Sequence, residues 1–406
     1  MIKRKFHLDL GEPTIVVRGQ QCNHGPWQFP KLARTKNGSI YIKWSMGTDR
    51  VEGGGDLLGQ SQAISDDRGK TWKLMPPDDS VAYDTMMPNG KAFAYFLGKA
   101  AHEVNYDLKQ YTVACDGREN TSVYFADDIK ELDRTTIAVE YDTKTGELNQ
   151  FPVKINWPNM ALTVYHRDYG DIVYPPCQMM AISNGEGQLV LDDGLYFCTY
   201  SRGFDFKTGK ITKHSGRYSV YVFRSIDSAR TWDIVSQVLV DDDTYRTREN
   251  DPIDSEGLCE PKMRKMLDGS VVMIMRSGLN YPTWLVRSTD NCKTWSKPVE
   301  FDDIGVFPQM VCLDCGVTVA TYGRPEMRIR ATADPQGLKW EPPIKMELNP
   351  AGKNRPWWWQ SCFNTSLLAL DGNSVLMAYS DFNVPNEEGE PTKSIMVRNI
   401  TVVFDE

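Results

Sequence analysis

The chain has 406 residues, 41% hydrophobic, 11% aromatic and 25% charged, which is the profile of a folded protein with a large core and excludes disorder, collagen and coiled coil. Its 46 Lys and Arg stand against 54 Asp and Glu for a formal charge of −8. The longest basic run is Lys3-Arg4-Lys5, too short an electrostatic footprint for nucleic acid, which is not expected as a partner.

In chain order, residues 1–11 carry no apolar segment of the export type, and apolar runs such as 271–275 are only strand length, so no membrane partner is expected. Lys5 to Leu10 reads as a short strand, expected to lie beside the last one, 394–404. Six Gly-centred turns then follow: Asn37-Gly38, Asn89-Gly90, Asp193-Gly194, Asp268-Gly269, Cys315-Gly316 and Asp371-Gly372. Each precedes an apolar or alternating run and should open a strand.

Six units average about 68 residues, room for a four-stranded antiparallel sheet with loops, and no long 3.6-residue period competes. The expected fold is all-β, a six-bladed β-propeller in a single domain over residues 1–406. The interval from Gly90 to Gly194 exceeds the others, so an insertion is expected at about 135–180, its Pro152, Pro158, Pro175 and Pro176 favouring ordered loops.

A second repeat falls at Ser65-x-Asp67-x-Gly69-x-Thr71-Trp72, Ser225-x-Asp227-x-Ala229-x-Thr231-Trp232 and Ser288-x-Asp290-x-Cys292-x-Thr294-Trp295, with a worn copy from Thr332 to Trp340. In such a turn the carboxylate accepts backbone N–H groups, Gly supplies positive φ and Trp buries a ring against the next sheet, a structural role. Ala229 and Cys292 replace the Gly, so either those turns relax or packing compensates. Nine cysteines at scattered spacings fit reduced thiols and a cytoplasmic location. Cys312-x-x-Cys315 reads as a hairpin turn rather than a zinc or redox motif. The histidines at 7, 24, 102, 166 and 214 show no ligand spacing, so no metal or other cofactor is expected.

The Ser-x-Asp-x-Gly-x-Thr-Trp element is the Asp-box, or BNR repeat. With the six turns it makes the chain resemble the sialidase (neuraminidase) superfamily over nearly its whole length. That resemblance implies a catalytic Glu sixteen residues before an Arg, matched by Glu260 and Arg276 around the Gly269 turn. It places a further substrate-binding arginine at Arg324, beside Tyr322, and an acid/base Asp at Asp56 after three glycines, with Asp49 as the competing position. Two positions depart from the family pattern. Gln28 stands where the first arginine of the carboxylate clamp belongs, and Asn364 where the nucleophilic tyrosine belongs.

These losses point away from sialic acid toward an exo-acting glycoside hydrolase on another, acidic or neutral, oligosaccharide or glycoside. Two carboxyl groups suffice for that chemistry, and the expected pair is Asp56 as acid and Glu260 as its partner. Gln28, Asn364, Arg276, Arg324 and Tyr322 are the expected substrate contacts. His24 is a further candidate hydroxyl binder, and Trp359, in the run 357–359, a stacking surface. Plainer alternatives are an ion pair tying two strands for Glu260 and Arg276, and a rim salt bridge to Glu326 or Asp314 for Arg324. A non-catalytic carbohydrate-binding propeller and a uronoside lyase are the competing functions, with a pure scaffold behind them.

Overall fold

The structure is a computed structural model that describes residues 5–19, 28–35, 37–45, 60–75, 85–87, 89–97, 111–115, 118–125, 130, 136–142, 144–156, 161–164, 188–202, 204–205, 207, 210–211, 218–239, 257–278, 281–351 and 355–405. Among them the regular elements are all strands except for a 3-10 turn at Trp357–Trp359.

Six four-stranded antiparallel sheets follow one another along the sequence, the repeat of a six-bladed β-propeller, so the expected fold class holds. The first sheet is Gln28–Arg34, Ile40–Ser45, Gln60–Ser65 and Lys73–Met75. The second is Thr85–Met86, Ala92–Leu97, Thr136–Tyr141 and Leu148–Asn156, and the third Leu189–Leu191, Gly194–Arg202, Tyr218–Ser225 and Thr231–Val238. Cys259–Lys265, Val271–Arg276, Thr283–Ser288 and Val299–Asp302 make the fourth; Val306–Cys312, Thr318–Gly323, Met327–Thr332 and Ile344–Met346 make the fifth. The sixth runs Ser366–Ala369, Ser374–Pro385, Pro391–Phe404 and, last in space, Phe6–Leu10. Every one of the six Gly-centred turns joins the first strand of a sheet to its second.

The chain divides into two compact units. One, residues 1–82, 266–268 and 304–406, holds the first, fifth and sixth sheets. Its N-terminal strand closes the sixth sheet as expected, with Phe6 opposite Phe404 and Leu10 opposite Ile400. Thr14–Arg18 pairs farther along the same long strand. The other unit, residues 83–265 and 269–303, holds the second, third and fourth. There the second and third sheets join through a parallel pairing of Lys154 with Thr231 and Asn156 with Asp233. An additional sheet forms from Tyr111–Cys115, Arg118–Phe125 and Ala161–Val164, whereas residues 136–156 of the span expected to be inserted are blade strands.

Alternation is weak in the inner strands. Val271 to Met275 and Thr318 to Gly323 are buried throughout, as in sheets covered on both faces. Fully burying a Leu, Phe or Met side chain contributes about 1.5–3 kcal/mol, which the cluster around Met263, Met273 and Val286 multiplies in one unit and that around Phe363, Met377 and Val402 in the other.

The Ser-x-Asp turns share one wiring. Ser65 Oγ donates to Asp67 and accepts from Gly69 N–H, both at 2.8 Å, while Asp67 accepts from Thr71 N–H at 2.8 Å and Thr71 Oγ1 at 2.6 Å. The copies at 225–232 and 288–295 repeat it, and in the worn copy Asp334 accepts from Leu338 and Lys339 N–H. The turns have not relaxed: Ala229 keeps φ 70° and Cys292 φ 60°, each a strain of order 1 kcal/mol, and both residues are fully buried. Cys312-x-x-Cys315 is indeed a hairpin turn, closed by Leu313 and Gly316.

Glu140 of the second sheet is fully buried and accepts from Lys91 Nζ at 3.0 Å, Asn149 Nδ2 at 2.9 Å and Arg230 Nη2 at 3.2 Å, so it ties the second sheet to the third. Burial pushes its carboxyl up, but these three donors outweigh it and hold it below the usual carboxylate range. Lys91 and Arg230 are themselves half-exposed, and water takes over part of their solvation when the carboxylate is lost. Glu140→Ala should therefore lower stability by about 2 kcal/mol, seen as a smaller urea midpoint at unchanged slope.

Hydrogen bonds from the Thr71 hydroxyl, Thr71 N–H and Ser65 hold Asp67 at about 2. At Asp227 and Asp290 burial pushes upward, but equivalent donors win and both carboxyls are depressed. A carboxyl depressed in the folded state stabilises fully above its unfolded pKa of about 4 and loses that contribution as pH falls through the folded value. Thermal melts between pH 5 and pH 2 should show the melting temperature dropping over that window, and Asp67→Asn with Asp290→Asn should flatten the drop.

Candidate functional site

Four sheets begin with the same backbone device. A residue in left-handed conformation lies in the first strand of three of them, Phe29 (φ 51°), Glu260 (47°) and Phe307 (50°), and just before the first strand of the sixth, Phe363 (60°). In the first, fourth and fifth sheets the register shifts there, between Gln28 and Lys31, Cys259 and Lys262, and Val306 and Gln309. A bulge of this kind turns the side chain out of the ladder, and strain at a non-Gly residue is retained only where the surroundings fix it.

In the second unit, Glu260 sits on that bulge, and Arg276 closes the next strand opposite Cys259. The Gly269 turn folds the two strands together, and Arg276 Nη1 donates to Glu260 Oε1 at 2.9 Å. Both side chains are largely but not wholly covered, Arg276 13% and Glu260 17% exposed. The plainer expectation, an ion pair tying neighbouring strands, is thus correct as geometry. Two tyrosines absent from the sequence-based candidates adjoin it. Tyr200 and Tyr218 from the third sheet meet edge to face at 5.1 Å, and burial, followed by the negative charge of Glu260, pushes the Tyr200 hydroxyl well above its ordinary pKa. Leu258 N–H donates to the Tyr218 carbonyl at 2.8 Å, which docks the approach to Glu260 on the third sheet.

In the first unit, Gln28, Arg324, Tyr322, Asn364 and Trp359 have different fates. Arg324, half-buried and left-handed (φ 61°), donates from Nη2 to the Cys362 carbonyl at 3.2 Å. Glu326, its expected rim partner, binds Arg328 at 2.6 Å and Lys345 at 2.7 Å. Asn364 is 2% exposed and its Oδ1 has no hydrogen-bond partner; Gln28 Oε1 is buried without one too. Tyr322 corrects an expectation: it is wholly buried in an inner strand covered on both faces, so its ring packs rather than meets a ligand. Trp359 is 45% exposed, on the 3-10 turn, with the Arg355 guanidinium 4.7 Å from its ring centroid. Asp56, Asp49 and His24 lie outside the described residues.

Cys362 joins the ends of the three sheets in this unit. Its Sγ lies 2.9 Å from Ser380 Oγ, the Phe29 N–H also reaches the thiol, and its carbonyl receives Arg324. Burial raises the thiol above its ordinary pKa, against these favourable contacts. Phe29 and Phe307 meet edge to face at 5.5 Å, and Thr321 Oγ1 bonds Thr365 Oγ1 at 2.8 Å. Among the described residues no group of three His, Cys, Asp or Glu side chains is placed to hold a metal.

No protein-family model matches the chain, and no curated protein matches it. Solved structures do resemble it. A protein of unknown function from Dyadobacter fermentans is 16% identical, with 98% of this chain and 99% of that one covered and a TM-score of 0.57. A Hadza microbial sialidase is 14% identical over 94% and 68% of the two chains, with a TM-score of 0.48. An α-L-arabinanase of Penicillium chrysogenum, solved with arabinobiose, is 11% identical over 95% and 98%, with a TM-score of 0.47. The likeness concerns the fold.

Gly323 is where the Arg324 side of this site is most constrained, because a Cβ there would overlap the Phe363 carbonyl and Cβ. Gly323→Ala should cost about 1–3 kcal/mol by overpacking, read as a lower urea midpoint.

Proposed function

We propose that the chain is a carbohydrate-active enzyme, an exo-acting glycoside hydrolase with a sialidase-like propeller whose substrate is not sialic acid. The observation that carries this is Glu260: a carboxylate on a strained bulge, fixed by Arg276 at 2.9 Å and left partly open. A structural ion pair needs no left-handed glutamate. Among the described residues the corresponding point of three other sheets holds phenylalanine, so of these four left-handed residues Glu260 is the one with acid-base chemistry.

Hydrolysis needs one group to protonate the leaving oxygen and one to activate water or attack the anomeric carbon. Glu260 takes the second role, Arg276 orients it, and Asp56 is assigned the first on sequence grounds. Arg324, whose guanidinium is anchored through the Cys362 carbonyl, is assigned to an acidic or hydroxyl group of the sugar. Gln28 and Asn364, with amide oxygens lacking partners, fit hydroxyl donors better than a carboxylate, which favours a substrate without the sialic acid carboxylate at that point. Trp359 supplies an exposed ring for a further sugar unit. The buried thiols Cys198, Cys259 and Cys292 accord with a reducing, cytoplasmic setting.

A panel of 4-nitrophenyl glycosides, neutral and uronic, with the anomer of the first product read by NMR, tests this. Glu260→Gln should lower kcat by about 10²-fold or more at unchanged melting temperature, and Asp56→Asn likewise. Full activity in Glu260→Gln would remove the carboxylate from the chemistry. An unsaturated, ultraviolet-absorbing product would establish a lyase instead, and saturable glycan binding without turnover a binding protein.

A further inference from the structure

The Ser/Thr-x-Asp turns differ at one hydrogen bond. In three of them the indole N–H closes on its own turn: Trp72 on the Gly69 carbonyl at 3.0 Å, Trp232 on Ala229 at 3.0 Å and Trp340 on Gly337 at 2.8 Å. In the turn at 288–295 a hydroxyl from the third sheet stands between the two partners. Ser236 Oγ donates to the Cys292 carbonyl and accepts from Trp295 Nε1–H at 3.0 Å. The indole is thereby held one hydroxyl away from its turn and becomes a wall of an open cavity of about 380 Å³.

The rest of that cavity pairs an apolar side, Val238, Leu239 and Pro298, with a polar and basic one. Lys207, Lys293 and Lys297 line it, with Gln237 and Ser236, and no carboxylate is among its described lining residues, in a chain whose net charge is −8. Ammonium groups supply donors for an anion, an indole face suits the C–H face of a sugar ring, and amide and hydroxyl groups suit ring hydroxyls. The volume falls within the ~300–1,000 Å³ of small-ligand sites. Within the fourth sheet, Met275 pairs with Trp284 at the Arg276 end and Val271 with Ser288 at the turn end. Five residues of strand, roughly 17 Å, separate the two ends.

We propose that this cavity is a second carbohydrate site, which takes an anionic sugar residue of a glycan chain and is separate from Glu260 and Arg276. It does not require Glu260 to be catalytic. A chain seated there is held by a unit distant from any bond that Glu260 acts on.

The test is titration of the full chain with tetragalacturonate, followed by calorimetry and tryptophan fluorescence in the Glu260→Gln background, so that turnover does not consume the probe. Saturable binding that weakens with added salt is expected. Lys293→Gln with Lys297→Gln should weaken it roughly tenfold, the two lysines being exposed and remote from the packing of the sheet. Ser236→Ala, with its fold checked by melting, should weaken it as well, because the indole loses its outward anchor. Hydrolysis of a small aryl glycoside should be unaffected by the lysine pair, which separates this site from the proposed catalytic one. Unaltered binding in the double lysine variant, equal affinity for tetraglutamate, or no saturable binding at all would each overturn the proposal.

Discussion

A left-handed residue at the start of a sheet is the backbone constraint that recurs through this structure. Phe29, Glu260, Phe307 and Phe363 all adopt it, at a strain of order 1 kcal/mol each. A proline follows in three of them, Pro30, Pro261 and Pro308, and its missing N–H is tolerated where the ladder is already interrupted. The backbone is thus the same in kind at each place while the side chain it presents is free to change. Phenylalanine makes the position a packing one, as between Phe29 and Phe307. Glutamate makes it a charged one, its carboxylate held by an arginine on the adjoining strand.

Why the sheets were legible and parts of the site were not follows from the range of the interactions. The six glycine turns and the Asp turns are local: each needs a particular residue within a few positions, so sequence spacing reports them directly. The Glu260 and Arg276 pair was legible for the same reason, because a turn at Gly269 brings residues on either side of it together whatever the rest of the chain does. Tyr322 was not, because a strand covered on both faces has no alternation to say which residues look toward solvent. Tyr200 and Tyr218 come from another sheet, and no periodicity points to them. Phe-Pro and Glu-Pro pairs at the first strands were a usable signal for the bulge, since proline restricts the residue before it, but the sequence alone does not say that the restriction is met by positive φ.

Polar groups in the interior fall into two kinds. Glu140 has three donors around it and a satisfied charge, so it acts as a tie between sheets. The amide oxygens of Gln28 and Asn364 are buried without partners, which a fold does not keep for stability, since an unmet acceptor costs about 1–3 kcal/mol. Cys362 stands between these kinds: its thiol and carbonyl are occupied by Ser380, Phe29 and Arg324, and in holding the arginine it links three sheets.

The pairing of Phe6–Leu10 with the far end of Pro391–Phe404 has a kinetic consequence. His7 and Asp405, which meet at 3.3 Å, are 398 positions apart. During synthesis the early strand must wait, unpaired, until nearly all of the chain has left the ribosome, and its edge is exposed to association with other nascent chains for that interval. The entropy of closing so long a loop rises only slowly with length, as roughly (3/2)RT ln n, so the finished sheet is not weakened much by the separation. Delay rather than instability is what this arrangement imposes, and cellular yield would respond to translation rate and chaperone supply more than to the melting temperature of the folded protein.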